Sequence, residues 1–428
     1  MTDPTPPPAG PGPRQVVAVD LERVAATLTF DVAARQATAT ATVDFTLGAD
    51  AGRPALDLRQ PVDSIRLDSA PLPPEAWTAE DLGGGAGAEM RVLDQHLAAG
   101  SRHRLEVAYS LATPEANGAQ PIGWGDGAVA FDLWMSDLHP GRYLEMWLPA
   151  NLCHDRFALT VDVAVVGAGV EHAVLSNGAG RALGAGITRV EYPDRFTSLS
   201  PLLVVAPAAD FDIRRRRVAL AGRDAPLDLL TAAHAEADAD AEACEADIAG
   251  WLCHQAARYG PWAHGSSFVA VLWGAGRGME YDGATTASVA ALEHEVFHSW
   301  FGRGVKPARA SDGWIDEAWT SWATSSRRVE EPRFSDEALS LDEPPVVLYP
   351  PHPWSRHTPT ESYREGSRLF AGIAHLIGGP SRLRSAMAAW YQANVGQLVT
   401  TDGLQAHLEA WSGVDLGPWF RRYVHGEV

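Results

Sequence analysis

Of 428 residues only three are cysteine, one is lysine, and nowhere do about 18 consecutive apolar residues occur. Cys153, Cys244 and Cys253 are an odd set without metal-site spacing, so no disulfide framework is implied and buried free thiols in a reducing compartment are expected. The N-terminus, MTDPTPPPAGPGPR, has neither a basic n-region nor an apolar h-region. Together with the missing apolar run, this leaves secretion and membrane spanning unsupported and sets a cytoplasmic expectation. Positive charge is also scarce. Thirty-four basic side chains face 54 acidic ones, a net −20, and such a surface repels nucleic-acid phosphates and anionic membranes alike. Lys306 is the sole lysine and the remaining fixed positive charge is arginine, which with abundant Ala, Gly and Pro reads as compositional bias. What is present is ordinary globular usage, 46% apolar, 8% aromatic and 21% charged, in a chain long enough for two to three domains.

Residues 1–14, rich in proline and glycine, are expected as a disordered, extended tail. From residue 15 to 212, stretches such as Ala37 to Leu47 and Phe157 to Val165 alternate apolar and polar residues between Gly, Asp and Pro turns, which predicts an N-terminal all-β domain. Gly83-Gly84-Gly85 lacks a following Gly-Lys-Ser/Thr and reads as a loop, not a phosphate cradle. Arg214 to Arg217 read as a solvated strand or linker. Beyond Pro226, Leu230, Ala237, Cys244, Ile248, Trp251 and Leu252 recur at three- and four-residue steps, which predicts helix, with Glu236 to Asp247 supplying its wet acidic face. Ser267 to Trp273 predicts a short strand; helices are expected from there onward, apart from a proline-rich loop at 332–360. Residues 213–428 thus form a mainly α second domain. Whether its proline-rich loop is a lid is left open by the sequence, as is the oligomeric state.

Chemistry concentrates in Leu292-Glu293-His294-Glu295-Val296-Phe297-His298, an H-E-x-x-H on a helical pattern. Two histidines four apart stand one turn apart on one helix face, so both imidazoles can converge on a single Zn2+ ion, while Glu295 reaches the same cleft as a non-ligand. Glu317, nineteen residues past His298 in Trp314-Ile315-Asp316-Glu317-Ala318-Trp319, can supply the third ligand from a second helix. At this chain's His and Glu content a chance H-E-x-x-H occurs in about one sequence of 30, and a Glu at one fixed offset lowers that to about one in 500. Trp300, Phe301, Trp314, Trp319 and Trp322 around the motif read as helix packing rather than a specificity pocket.

With these residues the sequence resembles the gluzincin aminopeptidases of the aminopeptidase N and leukotriene-hydrolase type, whose zinc signature has the spacing of His294, Glu295, His298 and Glu317. Gly278-Met279-Glu280-Tyr281 is similar to the family's Gly-x-Met-Glu-Asn motif, which implies that Gly278, Met279 and Glu280 bind substrate and that Glu280 holds its free α-amine. Ser362-Tyr363-Arg364-Glu365-Gly366 resembles the Tyr-Glu-Lys-Gly element, which implies that Tyr363 donates a hydrogen bond to the tetrahedral intermediate. Tyr259-Gly260-Pro261-Trp262, Leu175-Ser176-Asn177-Gly178, Gly378-Gly379-Pro380 and Thr400-Thr401-Asp402 are further similar stretches, so the resemblance covers nearly the whole chain after residue 15. It implies an α+β multidomain protein, an N-terminal saddle-like β-sheet domain followed by a thermolysin-like zinc metallopeptidase domain, acting on peptides with Glu295 as general base.

Two departures qualify the match. The family's large C-terminal helical domain has no counterpart before Val428, which implies a more open cleft. The family's second amine anchor does not align cleanly in Ser136 to Pro149, where Asp137 and Glu145 are the candidates. Aminopeptidase is therefore the first reading, and an endopeptidase or dual-mode processing protease the second. A catalytically silent scaffold is the third, against which stands the joint presence of ligands, base and tyrosine.

Overall fold

A computed structural model describes residues 4–84, 89–112, 122–136, 143–274, 277–328 and 339–428, without the side chains of 325–328. The chain divides into two compact units, the first running to Phe211 and the second starting at Asp212.

In the first unit, strands β1 (Val16–Asp31) and β2 (Gln36–Leu47) pair antiparallel. Along β2 Ala37, Ala39, Ala41, Val43, Phe45 and Leu47 are buried and the threonines between them are not, the outcome of a period-two pattern on a pleated strand. Next to β2 lies β3 (Arg102–Ser110), and on the other side of β1 lies β4 (Ala158–Val166), which runs parallel to it and pairs with β5 (Ile187–Glu191). These strands belong to an eleven-stranded sheet among the described residues, and a second sheet of four strands holds Ala128–Asp132 and Leu203–Pro207. Phe30 of the large sheet touches Phe131 of the small one at 5.0 Å between ring centroids, and Phe131 meets Trp147 edge-on at 5.0 Å, so aromatic contacts join the sheets. A bulge in β1 between Leu21 and Arg23 is stabilised by Asp155, whose Oδ2 accepts from the Leu21 N–H at 2.7 Å. Where the sequence predicts a loose tail, Gly10 and Gly12 at positive φ let the chain turn, and Ala9 and Val16 exchange backbone hydrogen bonds of 2.9 and 2.7 Å.

The second unit starts one residue into β6 (Phe211–Val218), which with β7 (Leu227–His234) belongs to a five-stranded sheet of order β6, β7, β8 (Ser267–Leu272), β10 (Ala284–Ala287), β9 (Gly278–Tyr281). Strands β7, β8 and β10 are parallel neighbours, and β9 closes the edge antiparallel to β10. Helix α1 (Ala241–Tyr259) crosses between β7 and β8; its N-cap, Asp240, accepts from the Glu242 and Ala243 N–H groups at 3.0 and 3.1 Å. The expected helix around Leu230 is corrected by this arrangement: Leu230 lies in β7, registered against Val269. Its apolar neighbours serve a covered parallel strand, and the helical period starts only after Asp240. After β8 helices dominate, as the sequence predicts, once the short strands β9 and β10 have been passed.

Among the described residues six helices follow: α2 (Leu292–Phe297), α3 (Trp314–Arg328), α4 (Glu361–Leu376), α5 (Pro380–Asn394), α6 (Thr401–Ser412) and α7 (Gly417–Tyr423). Trp300, Phe301, Trp314, Trp319 and Trp322 are buried in their shared core, as the sequence predicts. Tyr259 stands edge-on to Phe297, Phe301 and Trp319 there. Arg214 to Arg217 lie on β6, an edge strand, with Arg214 beside Asp212 and Glu242 and Arg217 beside Asp228. All three cysteines are free, but Cys253 is exposed rather than buried. Among the described residues no helix is long and apolar enough to cross a membrane.

Candidate metal centre

Helix α2 buries Leu292, Val296 and Phe297, and this anchoring turns His294 and His298 toward a common point. Their Nε2 atoms stand 3.0 Å apart with the rings at 78°. Helix α3 brings Glu317 to the same point, its Oε2 lying 3.2 Å from His294 Nε2 and 3.6 Å from His298 Nε2. The start of α3 is pinned by a buried contact to α6. Asp312 Oδ1 accepts from both the N–H and the hydroxyl of Thr401 at 2.8 Å, and the Thr401 Oγ1 accepts from Trp314 Nε1 at 3.0 Å.

These three atoms have the spacing a metal needs. A tetrahedral ion with bonds of about 2.0 Å separates its ligand atoms by about 3.3 Å, and the triangle here has sides of 3.0, 3.2 and 3.6 Å. His298 is also oriented from behind, since its Nδ1 lies 3.1 Å from the Phe301 carbonyl and 3.3 Å from Thr320 Oγ1. Donation from Nδ1–H to that carbonyl makes Nε2, the nitrogen that faces Glu317, the one that would bind a metal. Gly302, at φ +109°, is required in this corner, because a Cβ would sit 2.8 Å from Asp316 Oδ2 and 3.1 Å from His298 Nδ1.

The charges agree with a cation site. Burial alone would push the His298 imidazole down, yet the carboxylates of Glu280, Glu317 and Asp316 outweigh it and hold the ring well above its usual value. Burial works against the Glu317 charge, but His298 and His294 overcome it and keep the carboxyl far below the usual range. Asp316, buried next to Glu317, is pushed up first by desolvation and then by that like charge. Positive charge is therefore favoured where the three ligand atoms converge. A second cluster, Glu280, His298 and Asp316, shares His298 with the first.

Of the remaining predicted residues, Glu295 is buried and its Oε1 lies against Gly278 on β9, where an added Cβ would come within 2.6 Å of it. Tyr363, in the first turn of α4, stacks on His294 with 6.0 Å between centroids and 20° between planes. Met279 and Glu280 are buried on β9. Glu280 is not alone: its Oε1 accepts from Arg303 Nη2 at 2.7 Å. Glu145 lies fully buried in a 3-10 turn, Leu144–Met146, of the first unit, with Oε1 accepting from the Tyr143 N–H at 3.3 Å; Asp137 lies outside the described residues.

Sequence reasoning missed three charged residues here: Arg303, Asp316 and Lys306. The only lysine is buried and paired with Asp282 at 2.9 Å, and His264 stands 3.8 Å from the same carboxylate while its Nε2 meets the Ser299 carbonyl at 2.7 Å. This cluster ties the turn between β9 and β10 to the segment after α2. Desolvation opposes the Asp282 charge, but Lys306 and His264 hold the carboxyl well below its usual range.

No protein-family model matches the chain, and no curated protein matches it in sequence. Solved structures match it in fold. An M1 zinc metallopeptidase from Deinococcus radiodurans, bound to a Tyr-Ser-Ala substrate, is 18% identical with a TM-score of 0.68 over 96% of this chain and 95% of that one. Legionella pneumophila aminopeptidase A in complex with aspartic acid is 13% identical, with a TM-score of 0.69 over 95% of this chain and 49% of that one. Native yeast LTA4 hydrolase is 13% identical, with a TM-score of 0.64 over 94% of this chain and 67% of that one. The chain thus has the fold of these metallopeptidase structures, a β-sheet domain followed by a mainly helical one.

Proposed function

We propose that this protein is a zinc-dependent peptidase that releases N-terminal residues from peptides, with catalysis in residues 213–428. The observation that carries the reading is the triangle of His294, His298 and Glu317 with Glu295 on the same short helix. Those three residues would hold one Zn2+, which when bound supplies Lewis acidity at the scissile carbonyl and acidifies water. Glu295 takes the proton of the attacking water and returns it to the leaving amine, one carboxylate serving as base and then acid. Tyr363, beside His294, donates a hydrogen bond to the developing oxyanion.

Substrate binding is read from β9. It ends the five-stranded sheet, so a peptide can add to it as a further strand beside Gly278 and Met279, with its first peptide bond next to Glu295. Glu280 at the end of that strand is the group proposed to meet the substrate's ammonium. The Tyr-Ser-Ala substrate in the Deinococcus structure and the aspartic acid in the Legionella one support a peptide substrate. The free cysteines suit a cytoplasmic setting.

Replacing Glu295 by Gln tests the assignment. The variant should hold one zinc per chain as the parent does and lose peptide hydrolysis by about 10²-fold or more; full activity rejects the role of Glu295, and failure of the parent to bind zinc rejects the site.

A further inference from the structure

Glu280 is read as the seat of the substrate's ammonium, yet the fold places a cation of its own on that carboxylate. Arg303 Nη2 donates to Glu280 Oε1 at 2.7 Å, and Arg303 Nε donates to the Glu280 main-chain carbonyl at 3.3 Å. The guanidinium is also tied to its own segment, Nη1 donating to the Gly302 carbonyl at 3.1 Å. The two side chains are 1% and 4% exposed. A charge-assisted pair of this length, held out of water, balances the Glu280 charge. An ammonium that approaches Glu280 must share the carboxylate with a guanidinium already bonded to it, and the two positive charges repel. The nearby Glu317 offers no substitute, since its Oε2 lies 3.2 Å from His294 in the ligand triangle.

We infer that Arg303 sets the specificity of this site: by neutralising Glu280 it weakens recognition of a free N-terminus, so that peptides with acylated N-termini are substrates as well. The inference rests on the peptidase reading above and deepens it. Arg303 touches no reacting atom in this account; it acts through Glu280.

The test compares one peptide with its N-acetylated form on the zinc-loaded protein. The ratio of kcat/KM, free over acetylated, is expected below about a hundredfold for the parent, and a larger ratio overturns the inference. A charge-assisted hydrogen bond is worth roughly ten- to a hundredfold in binding. Arg303→Gln should therefore raise the ratio by about tenfold, while Arg303→Lys, which keeps the charge, should leave it near the parent value. A rise below threefold in Arg303→Gln, with both peptides slowed alike, marks a structural role only and overturns the inference. The same ratio read as dissociation constants by calorimetry, in a Glu295→Gln background, decides the matter without turnover. If the parent cuts neither peptide the peptidase reading fails, and the binding ratio still judges Arg303 by itself.

Discussion

Glu295 owes its place to a neighbour without a side chain. Gly278 lets β9 run against the carboxylate, and any Cβ there would displace the group proposed to handle the proton. Tyr363 is placed from the other side, stacked on His294. Tyr363→Phe should keep the fold and the zinc and lose about 10²–10³ in kcat, the usual cost of one oxyanion donor; an unchanged kcat in steady-state assays would remove the tyrosine from the mechanism. Lys306 acts through charge. Its partner Asp282 has a depressed carboxyl pKa, so the pair's contribution is present above about pH 3.9, the unfolded value, and is lost as pH falls through the folded one. Lys306→Met strands a buried carboxylate and should cost about 3–5 kcal/mol at pH 7, and less at pH 4 where Asp282 can take up a proton. Urea titrations at both pH values check the difference; an equal loss at both would contradict it. The convergence of His294, His298 and Glu317 was legible because it follows from their spacing. Arg303, Asp316 and Lys306 were not, because a charged side chain reads as exposed by default and only the fold shows which are buried in pairs.

The close contact of α3 with α4 positions two of the proposed site residues together. Gly366 on α4 faces Ala318 on α3, and an added Cβ would collide with the Ala318 Cβ. Glu317 is next to Ala318, and Tyr363 is one turn before Gly366. Gly366→Ala should therefore cost about 1–3 kcal/mol and slow turnover together, read by thermal unfolding and steady-state kinetics. A stable, fully active variant would show that the helices can part without harm to the site. The long alternating strands β2 and β4 were legible from their period, as was α1 from Asp240 onward. Strands β9 and β10 escaped notice because each has only four residues, too few for a period to show, and the first of them opens on a glycine. Leu230 misled for a related reason: β7 buries Thr231, Ala232 and Ala233 in succession, so its alternation does not persist long enough to show a period of two.

The chain combines a strongly acidic composition with a cluster of two histidines and a glutamate able to hold a cation. The first unit contributes a continuous β-sheet core, and the second carries every proposed ligand, base and oxyanion donor on elements from β9 to α4. The two-domain order was legible from the change of period near residue 212, whereas the turn at Ala9 to Val16 was not, since proline and glycine there argued only against regular structure. The activity proposed for the whole protein is peptide cleavage from the amino end by the zinc-loaded site. Mass spectrometry of a free peptide incubated with zinc-loaded protein, with chelator-stripped protein and with Glu295→Gln tests it most directly. Products lacking one N-terminal residue after another, formed only by the zinc-loaded parent, are the predicted result; an intact peptide in the presence of parent protein with one zinc bound per chain would contradict the account.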